Sequence, residues 1–433
     1  MTETHPDKRK LLMALYEEAV RAALPSAILP THLPPLPNGR LVVFAIGKAA
    51  ASMAAATEAH YANTKLEGIA LTRYGHALKT RNIEVIEAGH PVPDSNGVIA
   101  SARIMEMAAS LGPDDFALIL ISGGGSALAT LPIDGVSLED KQTLTKALLN
   151  SGAPIHDINT VRKHLSRIKG GRLAAAIAPA RSLTLAISDV AGNDPAVIAS
   201  GPTVPDPSTR EEALAILARW KINVSPALLA AFQVAPECPK AGDKVFANTR
   251  YELVASGAGS LDAAATLARH EGYEIFNLGD GLEGEARDLA RAHADLALAA
   301  QAKGRQCAII SGGEVSVTFA HKTEGAGGPS QEYALALAIA LQGTDGISAL
   351  AGDTDGIDGG SGAPDDPAGA MIFPDTLQRA REQGLDAQSE LEDHNSGGFF
   401  AMIGDLVKTG PSFTNVNDFR VILIERSSAT KAG

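Results

Sequence analysis

The apolar run Phe116-Ala-Leu-Ile-Leu-Ile passes directly into Ser122-Gly-Gly-Gly-Ser126. Glycines at the carboxyl end of a buried strand let backbone N–H groups approach a bound group, and the flanking serines add hydroxyls. Ser122, Gly123, Gly124, Gly125 and Ser126 are therefore a candidate anion cradle. The device recurs where 41–46 meets Gly47-Lys48 and where 307–310 meets Ser311-Gly-Gly-Glu314. Lys48 stands at the start of an expected helix, 49–59, whose dipole already favours negative charge, so its ammonium adds a mobile point charge suited to phosphate. No stretch fits the Walker A pattern, which argues against a P-loop fold.

From 158 to 188 there is no acidic residue, whereas Arg162, Lys163, Arg167, Lys169, Arg172 and Arg181 all fall inside. Val161, Leu165 and Ile168 have helical spacing, which predicts a buried stripe with the basic side chains turned elsewhere, to solvent or, as the Gly170-Gly171 turn favours, to an anion. Asp189 and Asp194 follow the next strand; carboxylates there could hold Mg2+ or accept a hydroxyl proton, or serve as Asx turns. A second acidic group, Asp353-Thr-Asp355-Gly-Ile-Asp358, lacks EF-hand spacing and suits magnesium with phosphate oxygens. Gly279-Asp280-Gly281-Leu282-Glu283-Gly284 fits G-x-G-x-x-G, but Asp280, Glu283 and Glu285 put negative charge where a pyrophosphate would sit. Ser126 lies outside a G-x-S-x-G elbow, which disfavours serine hydrolase chemistry.

Holding such loops requires alternating strands and helices, and that pattern runs along almost the whole chain. It predicts an α/β protein with two domains: a Rossmann-like, doubly wound N-terminal domain over 1–240 and a smaller α/β domain over 241–433, with a cleft between them. Expected strands are 41–46, 68–72, 83–87, 116–121 and 183–188 in the first, and 251–255, 273–278, 307–311 and 419–424 in the second. A helix over 8–23 opens the first domain. Prolines exclude regular helix from 25–37, mark 225–243 as linker, and glycines make 352–369 loop. The 433 residues exceed what one core usually supports. The longest apolar runs are strand-length, short of the ~20 residues of a membrane span. The polar N-terminus has no leader features, which predicts a cytoplasmic protein. Cys238 and Cys307 read as buried small hydrophobes, not a disulfide or zinc pair. With 37 basic and 50 acidic residues the net charge is −13, which opposes nucleic acid and anionic lipid as partners.

In order, Ala45-Ile-Gly-Lys-Ala-Ala50, Gly89-His-Pro-Val-Pro-Asp94, Ile121-Ser-Gly-Gly-Gly-Ser-Ala127, Asn159-Thr-Val-Arg-Lys-His-Leu165, Lys169-Gly-Gly-Arg-Leu173, Ser311-Gly-Gly-Glu314, Gly352-Asp-Thr-Asp-Gly-Ile-Asp-Gly359 and Thr414-Asn-Val-Asn-Asp418 resemble the type II glycerate 2-kinases, a MOFRL-type family often labelled hydroxypyruvate reductases. The resemblance spans nearly the whole chain. It implies ATP- and Mg2+-dependent phosphorylation of D-glycerate at the 2-hydroxyl. It implies Lys48 as catalytic lysine, the 122–126 loop, Lys163 and Arg172 as substrate or phosphate contacts, and Asp189 and Asp194 as metal or base groups. Glu314, Asp353 and Asn417 would face the nucleotide or metal. Relatives commonly carry arginine where this chain has Ala326, which implies another cation or weakened activity. The rival readings are an NAD(P)H-dependent hydroxypyruvate reductase and a non-catalytic sugar-acid-binding protein. A homodimer is left open.

Overall fold

The computed structural model describes residues 5–319, 325–360, 363 and 365–426. Two compact units emerge. Pro25–Val254 forms one; the described residues through Leu24 join those from Ala255 onward in the other. The chain thus passes between units after residue 24 and after residue 254, where the sequence suggested a single boundary near 240.

In the Pro25–Val254 unit, strands β1 (Leu41–Ile46), β2 (Glu67–Arg73), β3 (Glu84–Ala88), β4 (Phe116–Ile121), β5 (Arg181–Ser188) and β6 (Thr249–Ser256) lie in the order β3-β2-β1-β4-β5-β6. Pairs β1–β2, β2–β3, β1–β4 and β4–β5 are parallel. Every residue of β1 is buried, as a parallel strand covered by helices on both faces requires. The strand order reverses between β1 and β4, and there Ile46 pairs with Ile121. Gly47 and Ser122 therefore leave the sheet side by side.

Two proline-rich stretches are more helical than expected. Pro25–Ile28 is a helical turn, and Pro226–Val234 is a helix capped by Ser225, whose side chain accepts from Leu228 N–H. Proline at the first helical position gives up an N–H that had no partner anyway.

The other unit contains β7 (Glu274–Asn277), β8 (Gly284–Glu285), β9 (Cys307–Gly313), β10 (Val315–Ser316), β11 (Ile347–Asp353), β12 (Gly369–Ile372), β13 (Leu406–Val407) and β14 (Asp418–Ile424). Its main sheet has the order β13-β12-β11-β14-β9-β7 and is mixed, with only β7–β9 parallel among the pairs described. The helix Pro6–Arg21 belongs here, packing Leu12, Leu15, Tyr16 and Ala19 against Leu261, Ala264, Ala265 and Ala268. Its periodicity is plain in sequence, but an apolar stripe does not name the surface it covers. On the other sheet face Ala286, Ala290, Ala294 and Ala297 let the helix Ala286–Ala302 lie close to the buried helix Pro329–Leu341.

Candidate active site

At the β1–β4 reversal the two exit loops are bonded into one structure. Lys48 N–H donates to Gly123 O at 2.8 Å, Ser122 N–H to Ile46 O at 3.0 Å, and Ala49 N–H to Ser122 Oγ at 2.9 Å. Gly47 has φ 131°, and a Cβ there would lie 2.2 Å from Ser122 Oγ, so the crossing tolerates only glycine. Gly124, at φ 79°, precedes the short helix Gly125–Leu128; a Cβ on it would stand 2.9 Å from His90 Nε2 and 3.2 Å from Lys48 Cγ. Lys48, His90 and the glycine loop are thus immediate neighbours. His90 lies in the Gly89-His-Pro motif, but it carried no role until the fold brought it beside the loop.

The loop is backed by a turn over Ala199–Gly201 in left-handed backbone, with φ 51° at Ala199 and 61° at Ser200. Ser200 Oγ is 2.8 Å from Ser126 Oγ, and Gly170 and Gly171 N–H bond the carbonyls of Ser200 and Gly201. Lys169 is fully buried and its Nζ donates to Ser126 O at 2.8 Å and Ala129 O at 2.7 Å. Burial first, then the nearby charges of Lys141 and Arg162, push the Lys169 amine well below the ordinary lysine range. Lys141, whose Nζ reaches Thr130 Oγ1 at 2.6 Å, is lowered to about 7, again chiefly by burial.

Of the basic segment, Arg167 and Arg181 are exposed, but Lys163, Lys169 and Arg172 turn to partners inside the protein. The helix ends at His164, so Leu165 and Ile168 lie beyond it, and Lys163 is buried against Asp206 at 3.0 Å. Desolvation works to raise Asp206, but Lys163 and the Ser208 hydroxyl outweigh it and hold the carboxyl low. Arg172 donates to Lys163 O at 3.0 Å, Pro236 O at 2.7 Å and Cys238 Sγ at 2.8 Å. Lys163 and Arg172 are thus engaged by internal partners, because buried charges must be matched. His164, Asp206 and Cys238 bring ligand atoms within 4.8 Å of one another, the one such trio among the described residues. Lys163 and Arg172 already supply its positive charge, and burial pushes the Cys238 thiol up to about 12, so the trio reads as an ion network.

Asp189 is half-buried at the exit of β5. Asp194 is exposed; one carboxylate oxygen accepts Ala196 N–H at 2.8 Å, an Asx-type turn. Its other oxygen makes no hydrogen bond among the described residues.

In the second unit Gly313 pairs with Asp418 and Asp353 pairs with Asp418, so Glu314, Asp353 and Asn417 gather at one end of the sheet despite their separation in sequence. The stretch expected as loop, 352–369, contributes the end of β11 and the start of β12, because Gly352 and Gly369 pair across the sheet. Asn417, at φ 65°, accepts at its carbonyl from Thr354 N–H and Oγ1. Behind this edge Asp358 accepts Ser330 N–H at 2.9 Å and Gln331 N–H at 2.8 Å, capping the helix Pro329–Leu341. Burial pushes Asp358 up to about 7, with the Asp418 charge adding to it. Asp418 is raised by burial as well, against the pull of Arg420 at 2.5 Å. The G-x-G-x-x-G loop packs beside β9, with Gly312 N–H on Gly279 O at 2.9 Å. Asp280 Oδ2 accepts Ala258 N–H at 2.8 Å and so sits at the start of the helix Gly257–His270, which precedes the motif; the helix that follows it is Ala286–Ala302. Ala326 is exposed, its N–H on Asn395 Oδ1 at 3.2 Å and its carbonyl on Gly397 N–H at 2.7 Å.

Parallel strands with reversed order, and glycine loops joined beside Lys48 at their carboxyl ends, define an α/β protein with a strand-order switch point. Residues 11–233 match a family described as a domain of unknown function, DUF4147, and residues 307–418 match the MOFRL family. A D-glycerate 2-kinase of Thermotoga maritima is 38% identical over 96% of this chain and 98% of its own. The crystal structure of a glycerate kinase from the same organism superposes with a TM-score of 0.87, covering 96% of this chain and 99% of that one. A protein of Agrobacterium vitis with a provisional hydroxypyruvate reductase name is 48% identical over 98% of this chain and 96% of its own. The chain belongs to the MOFRL-type glycerate 2-kinase family.

Proposed function

We propose that the protein transfers the γ-phosphoryl group of ATP to the 2-hydroxyl of D-glycerate, giving 2-phosphoglycerate and ADP. The observation that carries this reading is the joining of Lys48 to the Ser122–Ser126 loop at the strand-order reversal, in a family whose relatives are named for glycerate phosphorylation. The glycerate carboxylate docks on N–H groups of the loop, which holds the 2-hydroxyl for in-line attack; Lys48 neutralises charge on the transferring group. Asp189 or Asp194 accepts the hydroxyl proton. Magnesium would screen the phosphate oxygens, and Asp189 and Asp194, hard oxygen donors on one loop, are the residues that would hold it. Glu314, Asp353 and Asn417 serve the nucleotide from the second unit. ATP as donor accords with a cytoplasmic location.

Hydroxypyruvate reduction has a relative's name in its favour, but Asp280, Glu283 and Glu285 put negative charge in the loop where a pyrophosphate would sit. Purified protein is expected to form ADP only when D-glycerate is present, with 2-phosphoglycerate identified by NMR. Oxidation of NADH by hydroxypyruvate without ATP would overturn the proposal. Lys48→Ala is expected to lower kcat by ~10²–10³, the usual cost of removing a group that neutralises developing charge. Ala326→Arg places a guanidinium on a backbone already pinned to the Asn395–Gly397 turn. It is expected to raise kcat at least ~10-fold, a fraction of what arginines at transferring phosphoryl groups supply.

A further inference from the structure

At the amino-terminal ends of β4 and β5, opposite the glycine loops, the Pro25–Val254 unit holds a cavity of about 610 Å3. It is lined by the apolar Pro35, Leu36 and Phe116 and by the polar Arg181, Arg250 and Asn248. A smaller cavity of about 350 Å3 shares Asn248 and adds Lys244. Along β5 this place lies roughly 25 Å from Asp189, at ~3.3 Å per residue.

The charge here is unbalanced. Arg181, Arg250 and Lys244 have no carboxylate at ion-pair distance among the described residues. The acidic residue on the cavity wall, Glu252, lies 3.3 Å from His32. Arg40, at the same end of the sheet, has its carboxylate in Asp115 at 2.9 Å, so a structural arginine in this region is matched. In a chain of net charge −13, three unmatched cations around adjoining cavities are a local excess. The Arg181 guanidinium lies over the Phe116 ring at 5.7 Å, which holds its donors at the wall.

We propose that this cavity binds a phosphomonoester dianion carried on an organic body, separately from the site at the glycine loops. Arg181 and Arg250 offer planar forks that match phosphate oxygens, Lys244 and Asn248 extend the polar lining, and the proline-rich lining covers the body. The volume falls within the ~300–1,000 Å3 of small-molecule sites.

Cys238 and Cys307 are buried, so Asn38→Cys on the cavity rim can be labelled selectively with an environment-sensitive dye. Titration with AMP and with ribose 5-phosphate is expected to give a saturable signal that weakens with salt. A response to both means the phosphate suffices; a response to AMP alone places the base against the prolines. Arg181→Ala and Arg250→Ala should each weaken binding roughly 10-fold, in line with loss of a charge-assisted contact. Both side chains are exposed, so the variants should fold, and Arg250→Glu serves as a second check by charge reversal. Lys48→Ala should leave the titration unchanged. No saturable signal to about 10 mM of either ligand, a signal retained in the double alanine variant, or one abolished by Lys48→Ala would sink the proposal.

Discussion

Behind the glycine loop of the first unit the protein buries amines, and behind the acidic strand ends of the second it buries carboxylates. Lys169 and Lys141 are pushed down, Asp358 and Asp418 up, in each case chiefly by desolvation. In each case burial disfavours the charged form. The consequences differ. Lys169 holds the carbonyls of Ser126 and Ala129 inward, which leaves the N–H side of the loop to a ligand. Asp358 holds the first N–H groups of the helix Pro329–Leu341, which removes that helix start as an anion site.

The largest break in this comparison is Lys169→Met. It keeps the stem and orphans two carbonyls, at ~1–3 kcal/mol each. The first unit is expected to lose about 2–5 kcal/mol, read as faster amide exchange in β4 peptides by mass spectrometry, with the β11 and β14 peptides unchanged. A KM for glycerate that stays at its original value in this variant would show that the loop does not need its clamp.

Smaller is the effect of Asp358→Asn, which tests the carboxylate half by pH. The folded value, about 7, lies above the ordinary 3.8. The native state therefore holds a proton that the unfolded chain releases, and stability present below pH ~4 is lost as pH rises through 7. The asparagine variant should flatten that fall in the second unit, by roughly 1–4 kcal/mol between those limits.

Much of this framework was legible in the sequence. The strands Leu41–Ile46 and Phe116–Ile121 are continuous apolar runs ended by glycine, and they form where the pattern places them. The 352–369 stretch was not legible as strand, because Gly352 and Gly369 look like loop residues; only their close pairing explains why no side chain fits, with a Cβ at Gly369 lying 2.0 Å from Ala351 O. Lys163, Lys169 and Arg172 carry no sequence mark that separates a lysine facing an anion from one buried against a carbonyl. That distinction depends on Asp206, Ser126 and Cys238, which lie about 40 or more residues away in the chain. His90 beside Gly124 is the same lesson at the site itself.

Lys141→Met is the smallest test, and it sharpens the amine half. Lys141 is lowered from 10.5 to about 7, so here the unfolded chain binds the extra proton. Its stability contribution is complete above pH ~10.5 and lost as pH falls through 7, the reverse of the Asp358 slope. Methionine fills similar volume without an ionisable group and gives up one bond, to Thr130 Oγ1. The clear readout is the slope: amide exchange in the first unit, corrected for its intrinsic pH dependence, should lose its rise in protection between pH 7 and 10. If the slope persists in Lys141→Met and vanishes only in Lys169→Met, the titrating amine is the one that clamps the loop.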